Sequence, residues 1–135
     1  MQIGPFAHVC CCLLPASNPQ DCIHDLVDPV GVLRTISRAL KPGGVFFSME
    51  PRVGESLAEN LKPAMAQAYG MSALHCITVS LALGGPGLGS GTFGPSKYEA
   101  LATEAGFASF KLVGNNAMNN FYELKAPGSA LPASL

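Results

Sequence analysis

The chain has 135 residues and a formal net charge of −1; charged side chains make up 13% of it and hydrophobic ones 48%. Near-neutrality excludes nucleic-acid binding driven by bulk electrostatics. A charged fraction well below the roughly 25% of ordinary domains implies either a large buried core or apolar surface covered by another body.

The length fits one small domain. No Lys or Arg precedes Arg34, and Phe6 to Leu14 is an apolar run of strand length followed by the turn-like Pro15-Ala16-Ser17-Asn18-Pro19. A secretory signal needs a basic leading region, and a membrane span needs about 20 apolar residues. Neither is present, so no membrane partner is expected. Residues 1–20 are expected to be a separate N-terminal segment, either a strand or disordered.

The five cysteines are odd in number, and Cys10, Cys11 and Cys12 are adjacent. With no Cys-x-x-Cys pair, neither a disulfide framework nor a zinc ribbon is signalled. Cys22-x-His24 and His75-Cys76 carry ligand-type side chains, but at spacings unlike those of a closed site, so no metal is expected. Reduced thiols are the default in the cytoplasm, the expected location.

Asp28 is a good helix N-cap, and Pro29 fits the first helical position, where no N–H is needed. Val32, Leu33, Ile36, Ala39 and Leu40 recur at helical spacing, with Arg34, Arg38 and Lys41 toward solvent. Pro42-Gly43-Gly44 stops this helix. Val45–Met49 is short, apolar and β-rich, and reads as a buried parallel strand. Glu55 to Leu83 is expected to be mostly helical, with a break or kink at Pro63. Pro95–Ala105 reads as an amphipathic helix with Tyr98, Leu101, Ala102 and Ala105 inward and Gly106 at its end. Phe110–Val113 and Phe121–Leu124 read as two closing antiparallel strands linked through Asn115-Asn116. Residues 126–135 read as a flexible tail.

Gly85-x-Gly87-x-Gly89-x-Gly91 has the look of a phosphate loop. No acidic residue ends a following strand, Pro95 delays the next helix, and too little chain follows to complete a nucleotide fold. A loop leading into a helix is the plainer expectation.

Three stretches occur in an order that resembles one family of S-adenosylmethionine (SAM)-dependent methyltransferases, those with a winged-helix domain ahead of a class I catalytic domain. They are Asp21-Cys22-Ile23-His24-Asp25-Leu26-Val27-Asp28-Pro29 with Leu40-Lys41-Pro42-Gly43-Gly44-Val45-Phe46; His75 to Gly89; and Glu104-Ala105-Gly106-Phe107 with Asn119-Asn120-Phe121-Tyr122. The resemblance spans residues 21–125 and corresponds to the second half of such a domain. It implies an α/β chain with a partial Rossmann-like fold: the second half of the sheet, with a helical cap insertion at about residues 55–92 over the substrate pocket. It implies SAM as cofactor and a small-molecule methyl acceptor. It also implies that the glycine loop holding most of the cofactor is missing, leaving an open sheet edge for a second copy or a partner chain to cover.

By the same resemblance, Asp21, Cys22 and Ile23 border the methionine end of the cofactor. His24 is the candidate general base, with Asp25 beside it to orient the ring; the alternative is a polar loop histidine and an ordinary helix-start acid. Glu50 and Arg52, after the strand, stand where substrate contacts arise, or are solvated surface charges. Tyr69, Met71 and His75 fall in the cap, where they line a pocket or pack a core. Three functions stay open: a working methyltransferase completed by a partner or by residues 1–20, a truncated non-catalytic interaction module, and a nucleotide-binding module built on Gly84–Gly91.

Overall fold

A computed structural model of the chain describes residues 21–63 and 65–128. The apolar run before Pro15 and most of the expected tail lie outside the described residues.

The first long helix begins where local chemistry says it should. Asp28 accepts a hydrogen bond from Gly31 N at 2.8 Å, and Pro29 follows, opening α1 (Pro29–Ala39). This bond satisfies one of the four N–H groups left without partners at a helix start. Asp28→Ala is expected to lower stability by about 1 kcal/mol in a urea melt, whereas Asp28→Asn should cost a few tenths at most. Leu33 and Ile36 are buried on the inner face, Val32 and Leu40 pack partly against it, and Ala39 is exposed instead of inward. After Leu40 the chain turns through Gly43, whose φ of +72° suits glycine. Gly43 N donates to Pro127 O, and Ala126 N donates to Gly44 O, so the start of the expected flexible tail is tied to this turn.

Next come β1 (Val45–Pro51), α2 (Leu57–Asn60), α3 (Met65–Met71), a π-helical turn (Ser72–Cys76) and α4 (Ile77–Ala82). Pro63 falls in the break between α2 and α3, as expected of a residue that cannot donate within a helix. The chain then runs through the glycine-rich loop to α5 (Pro95–Glu104), with Tyr98, Ala102 and Ala105 inward. Gly106, at φ +90°, ends it. Arg34 reaches across to donate to Glu104 O at the end of α5, joining the two helices.

The hairpin of β2 (Ser109–Asn115) and β3 (Asn119–Lys125) closes the fold. The sheet order is β1-β3-β2, with both pairings antiparallel. The chain is thus mixed α/β with a small antiparallel sheet. The expectation for the first strand needs correction. It forms, but among the described residues it pairs only antiparallel, and it is half-buried: Phe46, Ser48 and Glu50 point inward, while Val45 is 46% and Phe47 48% exposed. That alternation is what a strand covered on one face shows. The outward Phe47 stacks on Phe121, centroids 6.1 Å apart.

Inside, Tyr98 is the hub of an aromatic cluster, 5.2 Å from Phe93, 5.2 Å from Phe110 and 5.1 Å from Tyr122 between ring centroids. Its hydroxyl donates to Ser48 Oγ at 2.8 Å, which resolves the one polar atom a buried tyrosine brings with it. No helix among the described residues is long and apolar enough to cross a membrane.

Candidate functional site

Two loops and a strand end converge above this aromatic core. A single 3₁₀ turn, Ile23–Asp25, delivers His24 inward, and the carboxyl end of β1 delivers Glu50 to meet it. Both side chains are buried: His24 is 3% exposed and Glu50 is not exposed at all. His24 Nδ1 lies 2.6 Å from Glu50 Oε2, and Ile23 N donates to Glu50 Oε1 at 2.9 Å. Both carboxylate oxygens are therefore satisfied, as a buried carboxylate requires.

On its other side, His24 Nε2 lies 3.2 Å from Asp25 Oδ1, and Asp21 Oδ1 approaches Nδ1 at 3.6 Å from a more exposed position. The close carboxylate that orients the ring is therefore Glu50, not the adjacent Asp25. Phe93 flanks the imidazole, centroids 6.4 Å apart.

The electrostatics follow from burial and crowding. Burial pulls the His24 imidazole down, but Glu50, Asp25 and Asp21 together hold it above its ordinary value. Burial pushes Glu50 up, against the lowering effect of His24 and of the Ile23 N–H. Asp21 is also raised, by burial and by Asp25, against the pull of His24. The site is arranged to keep a proton.

Cys76 enters the same site from the segment that joins α3 and α4. It ends the π-helical turn with only 5% exposure, its Sγ 3.5 Å from Ser90 Oγ. Burial raises its pKa; Ser90 pulls it down and the neighbouring Asp25 carboxylate pushes it up. A π turn widens the helix by one residue, a distortion often found at functional sites. Here Ser72 and Cys76 face inward while His75 faces solvent.

The remaining sequence-derived candidates are dispersed. Cys22 is half-buried, next to the turn. Arg52 is exposed, its Nη1 donating to Asn116 O in the β2–β3 turn. Tyr69 is half-buried, with its hydroxyl accepting from Asn60 Nδ2 at 3.2 Å and its ring against Gly91. Met71 is 53% exposed. The structure thus brings Asp21, Ile23, His24, Asp25 and Glu50 together and leaves Arg52, Met71 and His75 outside. Cys76 and Phe93, absent from the expected set, join it.

The glycine-rich loop packs over this turn and does not form a phosphate cradle. Gly85 N donates to Ser80 O, Gly87 N to Ser80 Oγ and Gly89 N to His24 O. At the start of α5, Ser96 N is capped by Glu55 Oε1 at 2.8 Å. These N–H groups, which a phosphate cradle would use, are committed to protein oxygens. Gly89, at φ +71°, also passes so close to Ser72 and Ile77 that a Cβ would collide with both. Its glycine is explained by packing over the cap.

No protein-family model and no curated protein matches the chain.

Proposed function

We propose that residues 21–125 form the acceptor-side half of a SAM-dependent methyltransferase domain with a partial Rossmann-like fold, acting on a small molecule. The observation that carries this reading is the buried 2.6 Å pairing of His24 with Glu50. A carboxylate that accepts from Nδ1–H fixes the tautomer and leaves Nε2 as the base. When bound, SAM supplies an electrophilic methyl group on a sulfonium. His24 then has one task, to remove the proton from a weakly acidic acceptor as methyl transfer proceeds. Glu50 is the positioning residue for that ring. Asp21, partly exposed and 3.6 Å from the imidazole, suits the positively charged amino end of the cofactor. In this reading residues 21–125 meet the methionine end of SAM, and its remaining contacts come from outside them. Because His24 is held above its ordinary value, the base becomes free only toward neutral and alkaline pH.

A second reading, a non-catalytic interaction module, is supported by the exposed apolar residues Val45, Phe47 and Leu112 on the sheet. Isothermal titration of the purified chain with SAM and S-adenosylhomocysteine separates the two. Micromolar binding is the expected result for the enzyme reading, followed by a substrate screen with His24→Ala as control. No heat at millimolar cofactor would sink that reading for the isolated chain and leave the module.

A further inference from the structure

We propose that His24 Nε2, Asp25 Oδ1 and Cys76 Sγ form a three-ligand site for a borderline-soft divalent cation, Zn²⁺ above all. Their ligand atoms all lie within 4.8 Å of one another. A tetrahedral Zn²⁺ with bonds of about 2.0–2.3 Å places its ligands roughly 3.5 Å apart, so closure needs movement on the order of 1 Å. One thiolate, one imidazole and one carboxylate make a donor set that suits zinc, with a fourth position left for water.

Two further observations point to a cation at this place. The first is the carboxylate behind the ring. A histidine that ligates a metal through one nitrogen characteristically donates the other N–H to a carboxylate, and Glu50 stands 2.6 Å from Nδ1 for that purpose. The second is a mismatch on the ligand side. With Nδ1 protonated toward Glu50, the Nε2 lone pair faces the Asp25 carboxylate at 3.2 Å. Whenever the imidazole is neutral, two acceptors confront each other, and the buried Asp25 Oδ1 has only an Nε2 proton or the Cys76 thiol to satisfy it. A proton or a metal ion between them removes the conflict. The other grouping, Asp21, His24 and Glu50, would use Nδ1, which Glu50 already holds, and is set aside.

Binding displaces the thiol proton of Cys76 and, where the imidazole is charged, its Nε2 proton to solvent, and engages the Nε2 lone pair. If the methyltransferase reading holds, zinc at this site blocks the base; the binding itself does not depend on that reading.

The test uses Co²⁺ as a spectroscopic probe under reducing conditions. The full chain carries Cys10, Cys11, Cys12 and Cys22 each replaced by Ser, so that Cys76 is the remaining thiol. One Co²⁺ per chain with a thiolate-to-cobalt charge-transfer band, displaced by Zn²⁺, is expected. Cys76→Ser in that background should abolish the band, and Glu50→Gln should weaken affinity about 10- to 100-fold. In parallel, Cys76→Ser in the otherwise native chain should lose one equivalent of bound Co²⁺, which keeps the result readable if the four-serine chain folds poorly. An absent band in a folded four-serine chain, or unchanged stoichiometry after Cys76→Ser in the native chain, overturns the site.

Discussion

Replacing Glu50 by alanine is expected to cost about 3–5 kcal/mol of folding stability, enough to unfold a marginal domain. The side chain is wholly buried, and each of its oxygens accepts from a buried donor, Ile23 N and His24 Nδ1. Alanine removes both acceptors at once and leaves an imidazole, itself 3% exposed, facing a void. Glu50→Gln keeps the shape and one acceptor but turns an amide NH₂ toward one of the two donors. It should cost less, about 1–3 kcal/mol. Urea denaturation followed by circular dichroism gives both numbers. A loss below about 1 kcal/mol for Glu50→Ala would mean that the pair does not hold the Ile23–Asp25 turn to β1.

Local signals explain why so much of the fold was legible. Asp28-Pro29, Pro63, Pro95 and Gly106 act within a few residues, and each stops or starts an element where capping rules place it. The inward set of α5 followed from its 3.6 periodicity. The first strand was misread for a related reason. A run such as Val45-Phe46-Phe47 is apolar on both faces, so its sequence cannot tell a strand covered twice from one covered once. Only the pairing with β3 decides, and that contact joins segments far apart in the chain. The π turn at Ser72–Cys76 carried no sequence signal, and it determines which of His75 and Cys76 faces the site.

That His24 belongs to a cluster of carboxylates was legible in the sequence, and which carboxylate it pairs with was not. His24 stood out because a histidine flanked by Asp21 and Asp25 just ahead of a helix start is chemically conspicuous. Its partner did not, because adjacency favours Asp25 on paper while geometry gives the short bond to Glu50. Asp25 stays beside the ring at Nε2, while the end of β1, distant in sequence, brings Glu50 to Nδ1. Cysteine spacing did not show which ligand-type side chains lie together in space. Cys22-x-His24 and His75-Cys76 are neighbours in sequence, but the cluster in space is His24, Asp25 and Cys76. Long-range contacts of this kind are set by how α4 and the glycine-rich loop fold back over the turn, through Ser80 Oγ to Leu26 O and Gly89 N to His24 O.

The same buried pair sets the expected pH dependence, which runs opposite to that of most acid-sensitive domains. A group whose folded pKa lies above its unfolded value binds its proton more tightly in the folded state, so it contributes stability fully below the unfolded value and loses it as pH rises through the folded one. Glu50 and His24 are both raised, from ordinary values of 4.5 and 6.5. Folding should therefore be favoured most below about pH 4.5 as far as this pair is concerned. Stability should fall as pH rises because the hydrogen-bonded pair of the folded chain holds its proton more tightly than the separate Glu50 and His24 of the unfolded chain. The decline continues until pH passes the raised folded value of His24. Each proton retained contributes a slope of up to about 1.4 kcal/mol per pH unit. Urea midpoints measured from pH 4 to pH 9 should decrease across this window, and the slope should flatten in a Glu50→Gln, His24→Gln chain. Midpoints that rise between pH 5 and pH 7 in the native chain, with no change in the double variant, would show that the pair is not proton-retaining. The buried Tyr98, also held above its ordinary value by its burial, extends the decline into the alkaline range. Because the folded pair holds its proton more tightly than a free imidazole does, a proton must leave Nε2 before His24 can serve as the proposed base or as the proposed metal ligand.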